Sequence, residues 1–390
     1  MKKTTVAVLM AGIILGTPAA YADVNIGFSG ALSGSQGALG QDQRDGFLLA
    51  LDQLGYKFGG QKVNVTIADD QLKPDVGSQI MQKFLELDKV DAIVGLGFAN
   101  VLMAELRRIK DSGVPALATN AGPGPIAGKL CTPNLFVVAW QNDTMPEAMG
   151  QYAQDMGRKS AYLMTSNFQA GRDQISGFKR YFKGKILKEI YTPLGQLDFS
   201  AEISAMQAAK PESLYVFYSG ATGVNFIRGL RQAGVMGKVP VYTTGGTIDA
   251  NNLIALKAQA DGVYFAATWN SVLDNPRSEK FVQAYEKKYN RTPTEFAANG
   301  YDAAYLLDTA VRKLNGNVSN RKAFVKAIKD AGSEFPTVRG KFAFNTNNMP
   351  IQNQYVFQAV AEGGDKVGVK KIATVFTDHQ DAYVSECKMK

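Results

Sequence analysis

Histidine and cysteine are scarce in this sequence. Its 390 residues include one histidine, His379, and two cysteines, Cys131 and Cys387. A Ser–His–Asp triad would have to use His379, but the Gly-x-Ser-x-Gly turn of many serine hydrolases is absent, and an exposed tail histidine is the simpler interpretation. Zinc sites are built mainly from these same two residue types. We therefore expect no catalytic residues, no metal and no cofactor.

Phosphate-binding signatures are also missing. No Gly-x-x-x-x-Gly-Lys-Ser/Thr segment is present, so a P-loop is not expected. The segment GLGFAN, residues 95–100, does place Gly-x-Gly between a predicted strand, VDAIV, and a predicted helix, VLMAELRRIKDSG. It follows the third strand candidate, however, whereas a dinucleotide fingerprint follows the first, and it lacks the final Gly or Ala. A dinucleotide site is therefore not predicted.

Positive charge is not concentrated anywhere in the chain. The formal net charge is +8, and it falls to +6 when Lys2 and Lys3, in a segment expected to be removed, are left out. The basic residues are scattered and form no stripe interleaved with aromatic residues. We therefore expect a solvated basic surface and no nucleic-acid partner.

Long apolar runs are confined to the N-terminus. MKK is a cationic start, TVAVLMAGIILG is an apolar stretch too short to span a bilayer, and Ala20-Tyr21-Ala22 has the small-x-small pattern of a cleavage site. The alternative is a buried core element. The pattern predicts a signal peptide over residues 1–22, cleavage after Ala22 and a periplasmic location. The residue directly after the cleavage site is not a cysteine, so we expect no lipid anchor there.

Export also bears on the two cysteines. Disulfides persist outside the cytoplasm, and Cys131 and Cys387 are the only candidates for one. We expect them to pair, which would hold the tail of the chain against its body. The alternative is two separate buried thiols.

Alternating strand and helix patterns fill the rest of the chain. VNIGFSGAL, KVNVTIADD, DAIVGLG and VPALATN are strand candidates separated by helical segments. A second series begins near Asn142 and contains the strand candidates SAYLMTS, KILKEIY, SLYVFYS and VPVYTT. Three helical runs and three further strand candidates follow. Two such series predict an α/β protein with two doubly wound parallel sheets.

A ligand can be bound in such a fold without charged side chains. Ligands of open α/β sheets lie beyond the carboxyl ends of the strands, where the next helix begins. The first backbone N–H groups of a helix lack intrahelical partners and, with the helix dipole, bind a carboxylate. The GLGFAN turn is therefore a candidate ligand loop.

The ordered set of motifs resembles the periplasmic solute-binding proteins of branched-chain amino acid transporters, which have the type I periplasmic binding fold. The resemblance covers residues 23–390. It is carried by IGFSGALSGSQGALGQDQRDGFLLALDQLG, KVDAIVGLGFANV and DSGVPALATNAG, and later by FIRGLRQAGV and PRSEKFVQAYEKKYNRTPTEFAANGYDAAYLLDTAV. Each motif is weak alone, but their order and spacing are distinctive.

The resemblance implies an ABC importer whose permease subunits receive the ligand, and we expect a monomer. It also implies two lobes that close on the ligand about three crossings, near residues 140–143, 268–271 and 344–349. Lobe 1 would contain residues 23–140 and 270–345. Lobe 2 would contain residues 141–269 and 346–390.

The ligand-binding residues of the amino-acid binders are only partly matched. The loop matching FAN normally supplies a hydroxyl and a backbone N–H to the ligand carboxylate, but Ala99 and Asn100 stand there. The loop matching ATNAGPG, which contains Thr119 and Asn120, has Ala121, Gly122 and Pro123 where a carboxylate-binding Thr is usual.

The groups that would bind an α-ammonium are missing altogether. The acidic residue that receives it corresponds to Gly245, and the accompanying tyrosine corresponds to Ala221 or Thr222. The resemblance therefore implies a ligand other than an α-amino acid, with extra room near Gly245 and Gly246.

Aromatic and amide side chains are expected around the enlarged cleft. Members that resemble this sequence bind aromatic carboxylates, which is the predicted substrate class; benzoate-like, cinnamate-like and aliphatic acids are not distinguished. Arg172 is a candidate partner for the carboxylate, although a surface or interlobe salt bridge is the commoner role. Trp140 and Trp269 have hinge packing as an alternative. The remaining candidates are Leu39, Phe98, Phe168, Gln169 and Tyr301.

Three functions remain compatible with the sequence. The receptor of an importer is favoured, with an aromatic or a branched-chain amino acid ligand as alternatives. A ligand sensor of the same fold and a periplasmic enzyme are the others.

Overall fold

The computed structural model describes residues 22–389. The predicted signal peptide lies outside this range except for Ala22, so its cleavage and the export of the chain stay predictions. Within residues 22–389, none of the helices combines the length and the apolar character that a membrane crossing requires.

Six strands form the first sheet, in the order β2-β3-β1-β4-β5-β6. The strands are β1 Val24–Gly30, β2 Lys57–Phe58, β3 Gln61–Asp69, β4 Ala92–Gly95, β5 Ala116–Ala118 and β6 Leu135–Val137. All are parallel except the short edge strand β2, which is antiparallel to β3. The central strand β4 is entirely buried and continuously apolar, as expected when helices cover both faces of a parallel sheet.

The second sheet has eight strands. The strands are β7 Ser160–Ser166, β8 Lys185–Thr192, β9 Leu214–Phe217, β10 Val241–Thr244, β11 Tyr264–Ala267, β12 Ala343–Phe344, β13 Pro350–Ala361 and β14 Val367–His379. Their order is β12-β13-β11-β10-β9-β7-β8, and β14 pairs with β13. Strands β7 to β11 are parallel, whereas β13 is antiparallel to β11 and forms a hairpin with β14.

Helices cover both faces of each sheet. The first seven are α1 Gly37–Gln53, α2 Pro74–Gln82, α3 Ala99–Ser112, α4 Gly124–Ala127, α5 Thr144–Asp155, α6 Gln169–Tyr181 and α7 Ser200–Ala209. The others are α8 Gly220–Gln232, α9 Ala250–Leu256, α10 Pro276–Tyr289, α11 Glu295–Lys313 and α12 Arg321–Ala331. Helices α1 and α10 to α12 share one core with the first sheet, and α2 and α3 pack on its other face. Helices α7 to α9 cover one face of the second sheet, and α5 and α6 cover the other.

This arrangement is the predicted one, an α/β fold with two lobes built on doubly wound, mainly parallel sheets. Three segments connect the lobes: residues 138–143 between β6 and α5, residues 268–275 between β11 and α10, and the segment between α12 and β13. The predicted crossings at 140–143, 268–271 and 344–349 lie within them. The lobe boundaries, 23–140 with 270–345 and 141–269 with 346–390, remain our proposal.

Some local features differ from the expectations or were not predicted. Strand β6 and helix α9 were not predicted, because the first has only three residues and the second has seven, with two asparagines in its first turn. His379 is not an exposed tail residue: it ends β14, its Nε2 contacts a carboxylate oxygen of Glu147, and its ring stacks on Phe376 at 4.2 Å. The hairpin of β13 and β14 holds it against α5, a contact that local sequence cannot reveal.

Candidate ligand-binding site

A cavity lies between the two lobes at the carboxyl ends of the strands. It contains about 480 Å³ of atom-free space, part of it open to solvent. Its lining residues are Leu39, Gly97, Phe98, Ala99, Asn120, Ala121, Trp140, Asn142, Met145, Phe168, Ala170, Gln174, Phe217, Ser219, Thr244, Gly246 and Phe296. They come from both lobes and from the first crossing, so the shape of the cavity depends on lobe closure.

The GLGFAN turn brings the backbone of lobe 1 to this cavity. Gly95 ends β4 with φ of 105°, and a Cβ there would be 2.0 Å from the carbonyl oxygen of Ser29 on β1. Only glycine fits this close approach in this conformation. The chain then turns through Leu96 and Gly97 and enters α3 from Phe98, whose backbone is extended and whose side chain has no atom able to cap the helix.

Two helices of lobe 2 begin at the same cavity. Phe168 is the N-cap of α6 and Ser219 is the N-cap of α8, and neither side chain accepts a hydrogen bond from its helix. Together with α3, three helix N-termini from the two lobes border the cavity. Their first N–H groups and their dipoles create a region that favours an anion.

Aromatic rings form much of the wall. Trp140 and Phe296 meet edge to face with ring centroids 5.7 Å apart, and Phe168 and Phe217 lie nearly parallel at 6.2 Å. Phe98 adds a fifth ring from lobe 1. Such a wall suits a flat apolar ligand body.

A buried amide provides polarity on the lobe 2 side. The Gln174 side chain is buried; its Oε1 accepts hydrogen bonds from the Tyr215 hydroxyl and from Thr244 Oγ1, the latter at 3.4 Å. Its Nε2 donates to the carbonyl oxygen of Asn142 at 3.2 Å. The amide is therefore held in place, and within the described residues one of its two N–H groups has no hydrogen-bond partner.

None of the side chains that line the cavity within the described chain is charged. An acidic side chain, Asp173, lies behind this wall and accepts hydrogen bonds from Asn142 Nδ2 at 2.9 Å and from Gln169 Nε2 at 2.7 Å. Burial raises its pKa, although these hydrogen bonds oppose the shift. An anionic ligand would therefore meet backbone and amide donors without an ion pair.

Glu295 lies behind the same wall at the start of α11. Its Oε1 accepts hydrogen bonds from the backbone N–H groups of Thr268 and Trp269 at 2.6 and 3.1 Å. Among residues 22–389 its Oε2 has no hydrogen-bond partner, and a Cβ at Gly245 would be 2.8 Å away from it. Burial raises the pKa of Glu295 to about 7, against the hydrogen bonds from Thr268 and Trp269. The space left by the missing acid at position 245 is thus partly taken by this carboxyl group.

The structure brings one part of the predicted site together. Leu39, Phe98, Ala99, Asn120, Ala121, Trp140, Phe168 and Gly246 line the cavity. Asn120 also ties two of the loops together, because its Nδ2 donates to the carbonyl oxygen of Gly97 at 2.5 Å. Contact between these residues and a ligand stays a prediction.

Four other predicted site residues lie outside the lining of the cavity. Asn100 donates to the carbonyl oxygen of Leu72, and Thr119 donates to Gln43 Oε1 at 2.6 Å within lobe 1. Ala221 and Thr222 lie in the first turn of α8, the former exposed and the latter buried.

Gln169 and Arg172 also lie outside the lining. Gln169 faces Asp173, and the exposed Arg172 donates to Asn167 and Gln169 on the surface of lobe 2. Arg172 therefore has a surface role in this structure.

Two predicted aromatic residues belong to other parts of the molecule. Trp269 is buried in the core of lobe 1, where its Nε1 donates to Ser278 Oγ at 2.9 Å, so the hinge-packing alternative describes it. Tyr301 was expected at a strand end but lies inside α11, and its hydroxyl donates to Gln53 Oε1 on α1. Side chains five residues apart on a helix face different directions. Tyr301 therefore faces α1, whereas Phe296, five residues earlier, lines the cavity.

Several lining residues were not predicted. Phe217, Ser219 and Thr244 follow from the rule that ligands lie at the carboxyl ends of strands, because they end β9 and β10 or begin the next turn. Gln174 follows Ala170 by four residues, so the helical period places both on one face of α6. Phe296, from a helix distant in sequence, has no local signal.

The described residues contain no cluster of three or more His, Cys, Asp or Glu side chains suited to a metal ion.

Known proteins resemble this chain over most of its length. A family model described as periplasmic binding protein matches residues 23–365. The Leu/Ile/Val-binding protein BraC3 of Rhizobium johnstonii is 24% identical over 349 residues, which are 88% of this chain and 92% of that protein.

Solved structures show the same architecture. A solute-binding protein of an ABC transporter from R. palustris, in complex with benzoate, is 27% identical with a TM-score of 0.88 over 94% of this chain and 100% of that chain. Another from Rhodopseudomonas palustris BisB5, in complex with 3,4-dihydroxy benzoic acid, is 25% identical with a TM-score of 0.86 over 92% of this chain and 99% of that chain.

Proposed function

This chain belongs to the periplasmic binding protein family, and we propose that it captures a small aromatic carboxylate for an ABC importer. The family places it among the substrate-binding components of ABC transporters, which serve transport and are not enzymes. The proposal adds the direction of transport and the class of ligand.

One observation carries the ligand class: an uncharged, aromatic-walled cavity into which three helix N-termini point. The carboxylate would bind the backbone N–H groups at the start of α3 and at the loop of Asn120 and Ala121 in lobe 1. The ring would lie among Trp140, Phe168 and Phe296. Relatives in complex with benzoate and 3,4-dihydroxy benzoic acid support this assignment.

An α-amino acid fits this cavity less well. Its ammonium group would lose water without meeting a carboxylate in the lining, which costs several kcal/mol. Discrimination against amino acids should therefore reach about a hundredfold or more.

One residue favours the amino-acid alternative that the Leu/Ile/Val-binding relatives suggest. Glu295 Oε2 has no partner among the described residues and is close to position 245, where the acid of the amino-acid binders would stand. An ammonium could reach it only if the loop of Gly245 and Gly246 moved aside, because that loop separates Glu295 from the cavity.

Thermal-shift screening followed by titration calorimetry tests the proposal. Benzoate, 4-hydroxybenzoate and coumarate should raise the melting temperature, and leucine, isoleucine, valine and glutamate should not. Stabilisation by branched-chain amino acids alone, lost in the Glu295→Gln variant, would overturn the aromatic assignment and identify Glu295 as the ammonium site. If both ligand classes stabilise the wild type and Glu295→Gln loses only the stabilisation by amino acids, the two classes depend on different groups of the site.

A further inference from the structure

The last residues of the chain connect the two lobes a fourth time. Residues 380–387, here called the C-terminal strap, leave lobe 2 at the end of β14. The strap ends in a disulfide between Cys387 and Cys131, which lies between α4 and β6 of lobe 1, with a Cα–Cα distance of 5.7 Å. The bond therefore joins an element of lobe 2 covalently to lobe 1.

The first residues of the strap contact the third crossing. Gln380 Oε1 accepts a hydrogen bond from Asn345 at 3.2 Å. The carboxylate of the buried Asp381 accepts from Asn347 Nδ2 at 3.0 and 3.1 Å, and the same Nδ2 donates to the carbonyl oxygen of Ala127 in lobe 1 at 2.8 Å.

The strap contacts the first crossing through Tyr383. Its hydroxyl donates to Asp143 Oδ2 at 2.8 Å, and Arg180 of α6 donates to the same hydroxyl at 3.4 Å. Asp143 itself is buried and also bonds Arg180 at 3.0 Å. The first crossing carries Trp140 and Asn142 of the ligand cavity, so the strap is bonded to the segment that connects the cavity to the hinge.

We propose that the C-terminal strap limits how far the two lobes open and thereby raises ligand affinity. A segment bonded to two of the three crossings and fixed at both ends restricts the range of open conformations. The closed form keeps its full set of contacts. Restricting the open ensemble shifts the equilibrium toward the closed, binding-competent form, which lowers the free energy that closure requires.

Two variants test the strap in the full chain. Cys131→Ser with Cys387→Ser removes the covalent anchor, and Tyr383→Phe removes the hydrogen bond to Asp143 while leaving the ring. In each, small-angle scattering of the ligand-free protein should give a larger radius of gyration than in the wild type. The dissociation constant for 4-hydroxybenzoate should rise about threefold to tenfold, chiefly through faster dissociation.

A matched control separates a hinge effect from a loss of stability. Asn320→Ala removes the side chain that caps α12 by accepting from the Ala323 N–H, a hydrogen bond that involves no residue of the strap, and lowers stability. It should lower the melting temperature and leave the ligand-free radius of gyration and the affinity unchanged.

Each outcome decides the proposal. Two free thiols in denatured, unreduced wild-type protein would remove the anchor and overturn it. Variants that melt earlier but keep the wild-type radius and affinity would make the strap a structural brace only. The scattering of ligand-free protein does not depend on the ligand class, so a failure of the aromatic assignment leaves this test intact. If the double variant does not fold, Tyr383→Phe decides alone.

Discussion

Phe98 and Phe168 are unusual residues for the positions they occupy. N-caps are commonly Ser, Thr, Asp or Asn, whose oxygens accept the free N–H groups of the helix. Here two rings take that place, on α3 and on α6, and both line the cavity. Phenylalanine at these two N-caps leaves the first N–H groups of each helix available to a ligand and supplies an apolar surface beside them.

A substitution of Gln174 tests whether its side-chain amide binds a hydroxyl group on the ring of the ligand. The Gln174→Met variant keeps the shape of the side chain but removes the N–H that could bind a ring hydroxyl. Its affinity for 4-hydroxybenzoate should fall about tenfold, and its affinity for benzoate should change little. Calorimetric titration of both acids measures this difference.

Gln169 provides the control for this prediction, because it lies on the same helix and faces Asp173 outside the cavity lining. Gln169→Met should leave the ratio of the two affinities unchanged. An equal loss for both acids in Gln174→Met would place the hydroxyl elsewhere.

At the level of elements, the packing of α2 against α3 buries an acid without a partner. In the part of the chain that the structure describes, neither carboxyl oxygen of Glu105 on α3 has a hydrogen-bond partner, and a Cβ at Gly77 of α2 would be 2.7 Å from Oε1. Burial, with the charge of Asp70 adding to it, raises the pKa of Glu105 to about 8 from an ordinary value of 4.5. The native protein therefore keeps a proton that the unfolded chain releases.

This difference predicts the pH dependence of stability. The contribution of Glu105 is fully present below pH 4.5 and is lost as the pH rises through about 8, since only the unfolded chain has released its proton in between. The Glu105→Gln variant should flatten this dependence and raise stability at pH 8.5 by roughly 1–3 kcal/mol. Denaturant unfolding at pH 5.5, 7 and 8.5 measures it.

Glu86, exposed in the helical turn Lys83–Leu87 that follows α2, is the matched control. Glu86→Gln should reproduce the wild-type dependence on pH. An unchanged profile in Glu105→Gln would mean that Glu105 is solvated in solution.

At the level of the whole molecule, the lobes contact each other across the cleft. Gln36 Nε2 of lobe 1 donates to the carbonyl oxygen of Ser219 in lobe 2 at 3.1 Å. Asn251 of lobe 2 donates to Asp42 of lobe 1 at 2.8 Å. These hydrogen bonds exist only when the lobes are close together, so they stabilise the closed form.

Removing one of these interlobe hydrogen bonds should weaken ligand binding, although the substituted residue does not line the cavity. The Gln36→Ala variant should raise the dissociation constant about fivefold, mainly through faster release, because the closed form loses one hydrogen bond. Stopped-flow fluorescence and calorimetry with 4-hydroxybenzoate measure both quantities. Gln41→Ala, which removes a bond to Leu32 within lobe 1, should bind like the wild type. Equal affinities for the wild type and Gln36→Ala would contradict a closed form held by this bond.

Local patterns in the sequence are sufficient for most of the elements and for the two series of strands. Those features depend on neighbours two to four residues apart, where alternation and helical period act. The two cysteines also identify their own partner, because no other is available.

The composition of the cavity wall depends on contacts between distant segments. Phe296 reaches the cavity while Tyr301 packs on α1, and Trp269 enters the core of lobe 1, although all three are aromatic residues near predicted crossings or helices. The rotation of each helix against its sheet selects which side chain faces the cleft. That rotation results from packing the whole core, so only the tertiary structure distinguishes the residues of the wall from those behind it.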